Sequence, residues 1–350
     1  MRINQPRLGV VGCGYWGSKH VRVLSSLSGV ASVVVIDPRP ERRAELRRSF
    51  PAVLGFSTLE EALPHVDALV IATPPRTHAR LGLQALRAGK HVLVEKPLAT
   101  SVEDAELLVR EADDVSRLLL VGHTFEYNAA VWALRARIQE GLLGDIYYLD
   151  SARLNLGLYQ SDVNVIWDLA PHDVSIFNQL LGCLPDTVMA WGSSHANTGF
   201  EDVAYVRLGY RDLGVTAQLH VSWLDPSKVR RVTVVGSRQM AVYNDMAAEE
   251  KLRFYDKGVD LPVQRVETGP SGEALHERPV TYRYGGISSP YVAGAEPLLV
   301  QDQHFVDCMT LGETPRTGGR NGLDVVRVLQ AADTSLRLQR VVALEELLPV

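Results

Sequence analysis

The sequence predicts a doubly wound parallel α/β sheet followed by an α+β unit with a large open, mainly antiparallel sheet. Three observations carry this. The short apolar run Leu8-Gly9-Val10-Val11 leads directly into Gly12-Cys13-Gly14-Tyr15-Trp16-Gly17 and then into a helix-like stretch, Ser18 to Leu27. Near-continuous apolar runs of strand length then alternate with helical segments through the first 122 residues, as strands buried on both faces require. After Gly122 the runs alternate apolar with polar, as in Val203-Ala204-Tyr205-Val206-Arg207-Leu208, which suits a sheet with one open face.

Taken in order, Ala31 to Ile36 is the second strand and ends at Asp37, twenty positions after Gly17, completing a βαβ unit. Ala68 to Ala72, His91 to Val94 and Leu118 to Val121 read as further buried strands, separated by helices over His78 to Ala88 and Ser101 to Ala112. A helix over Ala129 to Glu140 opens the second unit. Its strands are Ile146 to Asn155, Thr187 to Trp191, Val203 to Tyr210, Val215 to Trp223 and Val229 to Val235, and short turns after Tyr210 and Gly236 suggest antiparallel neighbours. Residues 257–295, rich in Gly, Pro and Ser, read as a long surface excursion. Leu298 to Leu311 and Leu323 to Leu338 return to helical spacing and are expected to pack back on the first unit. The join is expected near residue 123, giving a Rossmann unit over 1–123 and an α+β unit over 124–350.

Length and composition agree with two ordinary domains: 350 residues, 46 % hydrophobic and 22 % charged. A formal charge of −5 with no basic block argues against a nucleic-acid surface. No uninterrupted apolar run reaches the roughly 20 residues a membrane helix needs, and Met1 to Pro6 lacks the apolar core of a signal peptide. Three cysteines, at 13, 183 and 308, show no paired spacing, which suits a reducing cytoplasm, and ten histidines without zinc spacing give no support for a metal.

Glycine chemistry defines a dinucleotide site. Gly12 allows the tight turn out of the strand, Gly14 leaves room for a pyrophosphate, and Gly17 permits close helix–strand packing, while the helix N-terminus offers free N–H groups to phosphates. Asp37 is positioned to accept hydrogen bonds from ribose hydroxyls and to repel an extra phosphate, favouring NAD over NADP; Arg39, two residues on, is the opposing feature. Ala72-Thr73-Pro74-Pro75 closes a strand at its carboxyl end, where such sheets bind ligands.

Two segments carry reaction chemistry. Glu95-Lys96-Pro97 puts a lysine at the same crevice, with the proline restricting its backbone; alone, an exposed loop lysine is the favoured reading. In Trp167-Asp168-Leu169-Ala170-Pro171-His172-Asp173, proline is tolerated only in a first turn, so a helix is expected to begin near Asp168 to Pro171. Asp168 and His172 then share a face, so that the carboxylate can orient an imidazole able to take an alcohol proton; a capping Asp beside a packing His is the alternative. Tyr127, Asn128, Arg153 and Asn155 are further candidates for substrate hydroxyls or an anionic group, with a surface or structural role an equal reading for each. Lys228, Arg230 and Arg231 form a compact basic group, read as a solvated strand end unless the substrate bears phosphate.

Together these residues resemble the Gfo/Idh/MocA oxidoreductases, the family of glucose-fructose oxidoreductase and inositol 2-dehydrogenase. The resemblance rests on Gly12 to Gly17, Asp37, Thr73 to Pro75 with His78, the specific segment Ala88 to Pro97, Asp168 with His172, and the Gly312 to Gly322 loop before a last helix. It implies a Rossmann domain and a substrate domain whose open sheet builds homodimers or homotetramers. It also implies a cofactor side including Tyr15, Trp16, Thr73, Pro74, His78, Glu95 and Lys96, and a substrate side including Trp167. Lys96 is implied to hydrogen-bond the reacting oxygen, His172 to act as general acid/base and Asp168 as substrate ligand or relay. One departure is the lead into the Asp/His helix, Asn164 to Trp167 with Pro171 before the histidine, where many relatives are glycine-rich. The implied activity is NAD-dependent oxidation of a secondary hydroxyl of a sugar, nucleotide sugar, sugar phosphate or cyclitol. An NAD-dependent glycoside hydrolase and a non-catalytic cofactor sensor are the rivals.

Overall fold

Two sheets organise the chain, and the clefts described below lie along their junction. The structure, a computed structural model, describes residues 5–157, 159–160, 162–196, 199–260 and 280–347. The first sheet is assembled from β1 (Arg7–Val11), α1 (Tyr15–Ser26), β2 (Ser32–Ile36), α2 (Pro40–Ser49), β3 (Leu54–Phe56), α3 (Leu59–Ala62), β4 (Ala68–Ile71), α4 (His78–Arg87), β5 (His91–Val94), α5 (Val102–Asp114) and β6 (Leu119–Val121). All strands are parallel in the order β3-β2-β1-β4-β5-β6. Every residue of β4 is buried, because helices cover both faces. The strand order reverses between β1 and β4, and ligands of such sheets bind at the carboxyl ends flanking that point. Sequence reading passed over β3 and α2. β3 is a three-residue edge strand, and α2 is polar all round with only Leu46 buried, so neither leaves a periodic apolar signal.

The second sheet follows α6 (Ala129–Gln139). Its strands are β7 (Ile146–Leu156), then, after α7 (Val165–Leu181), β8 (Thr187–Ser193), β9 (Val203–Tyr210), β10 (Val215–Ser222), β11 (Leu224–Gly236), β12 (Met240–Asn244), β13 (Leu252–Asp260) and β14 (Thr281–Ser288). They run in the order β14-β13-β12-β11-β7-β10-β9-β8, antiparallel except for β10 beside β7. One face is buried through residues such as Val188, Ala204, Val206 and Leu219; the opposite face leaves Met189, Trp191 and Tyr205 exposed. There Trp191, Tyr205 and His220 stack across three strands, with ring centroids 5.3 and 4.1 Å apart.

α8 (Pro297–Thr310) and α9 (Gly319–Leu338) return to the first sheet. α8 contributes Phe305, Val306 and Met309 to the core that holds Val21 and Leu24 of α1, and α9 packs between α5 and α7. The two-residue β15 (Val342–Ala343) closes the second sheet against β8.

Two expectations are corrected. The surface excursion over 257–295 contains the end of β13 and all of β14, which pair antiparallel; residues 261–279 lie outside the described residues. β14 is an edge strand with seven of its eight residues exposed, so no burial alternation marks it. The Asp/His helix begins at Val165, not near Asp168 to Pro171. Asn164 caps it, its Oδ1 accepting from the N–H groups of Ile166 and Trp167, and Pro171 therefore sits inside the helix. An interior proline costs about 3 kcal/mol, which the cap and a row of buried residues from Val165 to Leu180 offset.

Candidate active site

A cleft of about 710 Å³ runs along the carboxyl ends of β1, β2 and β4. Gly12 adopts φ +89°, a conformation that favours glycine, and a Cβ there would meet Ala72 O at 2.7 Å. A Cβ on Gly17 would lie 1.8 Å from Gly12 O, so the helix can approach the turn this closely only with glycine. Gly14 faces open space and caps α1 without a side-chain bond, and no acidic residue stands in the first turn, leaving N–H groups free for an anion. At the cleft's far end Asp37 accepts from Cys13 N–H at 2.8 Å and pairs with Arg39 through two contacts of 2.9 Å. Burial alone would raise the Asp37 pKa, but these donors hold it below the ordinary carboxylate value. Shape, free N–H groups and the terminal carboxylate fit a dinucleotide.

Lys96 stands at the inner end of this cleft, after β5, and its bond to Pro97 is cis. Its ammonium donates to the backbone oxygen of Asp168 at 2.7 Å and to Asp168 Oδ1 at 3.1 Å. Trp223 Nε1 donates to Asp168 Oδ2 at 2.9 Å, so the carboxylate is fixed from both sides. Beneath Lys96, Glu95 is buried and meets His20 Nε2 at 2.9 Å, while His20 Nδ1 meets Asp302 of α8 at 3.0 Å. Burial disfavours a charged His20, yet two carboxylates overcome it and push its pKa to about 10. Glu95 is held low by the same contact despite burial.

A second cleft of about 200 Å³ adjoins the first, and Trp16 and Glu95 line both. His172, one turn beyond Asp168 on α7, opens into it, together with Phe125, Asn128, Lys19, Arg230 and Asp245. Its Nδ1 is buried without a partner and its ring packs edge-on against Phe125, 5.0 Å between centroids. Burial first, then the cations Lys96 and Arg153, hold its pKa well below the usual histidine value, so it is neutral at pH 7. A neutral imidazole and an ammonium at adjoining clefts are what removal of an alcohol proton requires.

Comparison with known proteins agrees. A family profile described as "Oxidoreductase family, NAD-binding Rossmann fold" matches residues 6–123, and the GFO/IDH/MocA C-terminal domain matches 131–242. The UDP-N-acetylglucosamine 3-dehydrogenase of Acidithiobacillus ferrooxidans is 33% identical over 72% of this chain and 77% of its own length. The chain belongs to the Gfo/Idh/MocA oxidoreductase family. It is an NAD(P)-dependent oxidoreductase. The 4-carboxy-2-hydroxymuconate-6-semialdehyde dehydrogenase of Sphingobium sp. is 25% identical over 95% of this chain and 99% of its own. A solved structure of the Acidithiobacillus enzyme superposes with TM-score 0.78 at 25% identity, covering 96% of this chain and 99% of that one.

Within this Gfo/Idh/MocA chain, the structure brings Gly12, Gly14, Tyr15, Trp16, Asp37, Thr73, Pro74, Glu95, Lys96 and Asp168 together along the larger cleft, and His172 and Asn128 along the smaller. Other expected contacts fall elsewhere. His78 is buried between the carbonyls of Thr73 and Pro97, each 2.8 Å from a ring nitrogen, one of which donates in the neutral ring, so it sits between two cleft loops without facing the cofactor side. Tyr127 is buried with its hydroxyl 3.0 Å from Thr317. Trp167 turns to a separate cleft beside Asp333. Arg153 is buried against Asp173 at 2.7 Å, its guanidinium over Phe125, and supports the His172 pocket from behind; Asn155 is half-buried on the same strand. Asn128 is mostly committed, capping α6 and donating to Tyr243. Asp168, expected to orient His172, has its two oxygens on Lys96 and Trp223 instead. Sequence reading missed Trp223, Phe125, His20 and Asp302, whose partners lie far along the chain, and Lys19 and Asp245, whose place at the cleft depends on how the units pack. Among the described residues no cluster could hold a metal, and no helix is long and apolar enough to cross a membrane.

Proposed function

We propose that this protein is an NAD-dependent dehydrogenase that oxidises a secondary hydroxyl of a sugar, nucleotide sugar or cyclitol to a ketone, and reduces the ketone in reverse. The observation that carries the reading is the Lys96–Asp168 pair, 3.1 Å apart, in a dinucleotide-shaped cleft that adjoins the His172 pocket. Bound nicotinamide supplies the two-electron acceptor. Lys96 hydrogen-bonds the substrate oxygen and lowers the cost of negative charge on it. His172 takes the hydroxyl proton, entering the reaction neutral because burial and nearby cations disfavour its charged form. Asp168, braced by Trp223, keeps the ammonium in position. NAD is preferred because the Asp37 carboxylate stands where a 2′-phosphate would lie and Arg39 is paired with it. Residues 1–123 act as the cofactor unit and 124–350 as the substrate unit. The exposed Trp191 and Tyr205 face supports a homodimer or homotetramer, and the three free cysteines suit the cytoplasm.

A panel of sugars and cyclitols, each with NAD⁺ and separately with NADP⁺, tests this by the absorbance of the reduced cofactor. The expected result is NADH formed in step with ketone, with deuterium at the carbinol carbon transferred to the cofactor. Glycoside cleavage without net NADH overturns it in favour of the hydrolase. Cofactor binding without turnover favours a sensor, and turnover confined to NADP⁺ contradicts the role of Asp37.

A further inference from the structure

We infer, building on the dehydrogenase reading, that the substrate carries a carboxylate near the carbinol that is oxidised, and that Lys19 of α1 and Arg230 of β11 hold it. Both side chains line the 200 Å³ cleft that contains His172. The charges around that cleft do not cancel. Glu296 is taken by Arg22 at 2.6 Å, and Glu95 shares the buried His20 with Asp302, at 2.9 and 3.0 Å. Asp245 is shared among Arg230 at 3.3 Å, Lys251 at 3.9 Å and the Tyr243 hydroxyl at 3.0 Å, so one acid faces two cations. Lys19 makes no ion pair among the described residues; its ammonium lies 4.5 Å from the Tyr15 ring centroid and 5.5 Å from that of Trp16. A cation resting on aromatic faces keeps N–H donors available for an oxyanion, and a guanidinium adds a planar, two-point donor to the same group.

The cleft's size sets the kind of anion. At about 200 Å³ it accommodates a small polyhydroxylated acid or one sugar ring. Beyond Asn128 and Pro297 it continues into a larger groove lined by Glu249, Glu250 and Lys251, with Glu250 bonded to Arg253 at 2.6 Å. Among the described residues lining that groove Lys251 is the one cation, whereas Lys19 and Arg230 both line the cleft that holds His172.

Matched pairs with NAD⁺ test the inference: D-glucuronate against D-glucose, D-galacturonate against D-galactose, and D-glucose 6-phosphate as the phosphate arm. The acids are expected to exceed their neutral partners in kcat/KM by roughly ten- to a hundred-fold, the range of a charge-assisted contact. Lys19→Gln and Arg230→Gln are each expected to cut that ratio by about tenfold, with thermal unfolding checking that both variants fold. NADH formed equally well from neutral sugars, or an acid preference that survives both substitutions, overturns the carboxylate site and leaves the dehydrogenase intact. Preference for the hexose phosphate over the hexuronate also overturns it. NADH from no member of the panel counts against the dehydrogenase reading itself.

Discussion

The cleft proposed for the cofactor and the cleft proposed for the substrate meet at Trp16 and Glu95 but are built in opposite ways. The cofactor side is made by backbone: a glycine turn, a helix start, strand ends and one carboxylate balanced by an arginine two residues away. The substrate side is made by side chains from distant segments, and its charges are settled over long sequence separations. Asp302 meets His20 across 282 residues, and Asp168 meets Lys96 across 72. The comparison teaches that geometry dominates the first cleft, so that one added methyl is enough to destroy it, whereas the second depends on buried charges whose effects vary with pH.

Gly17→Ala breaks the cofactor side most severely. With its new Cβ 1.8 Å from Gly12 O, the turn cannot keep its shape, and NADH binding followed by fluorescence is expected to fall below detection. The charged side responds differently. Removing one partner of a buried ion pair costs on the order of 3–5 kcal/mol, so Asp302→Asn is expected to lower the melting temperature substantially while NADH still binds. His20 titrates at about 10 in the folded protein against 6.5 ordinarily, so its stabilising contribution is complete below pH 6.5 and lost as pH rises through 10. Melting temperatures of the native protein are therefore expected to decline between pH 7 and 11 more steeply than those of His20→Gln. A smaller effect is expected at Glu126, buried behind α7, where burial raises the carboxyl to about 7. Its ionisation opposes folding as pH rises from 4.5 through 7, so Glu126→Gln is expected to melt slightly above the native protein at pH 8 and not at pH 5.

The same contrast decides what was legible in the sequence. Gly12, Gly14, Gly17 and Asp37 could be read because spacing along one βαβ unit fixes their arrangement, and Lys96 because it ends a buried strand. Trp223 could not be read, since its contact with Asp168 depends on how β10 ends beside α7. Asp245 and Arg230 were separable from ordinary surface charges only once β11 and β12 were paired. Tyr127 and Trp167 stood next to site residues in sequence, but the phase of a short turn or helix turns them into the interior. Pro171 misled because the rule against interior proline is local, while the Asn164 cap and the buried side of α7 are set by the whole fold.

Lys96→Met tests the central claim most directly, because it removes the ammonium paired with Asp168 and keeps the side chain's bulk. The measurement is the steady-state rate of NADH formation with an identified substrate, set beside NADH affinity in the same preparation. The proposed mechanism predicts that kcat/KM falls by roughly 10²–10⁴, the scale of a positioned proton-transfer or oxyanion-stabilising group, with NADH still bound. A dehydrogenase rate unchanged by the substitution would contradict it.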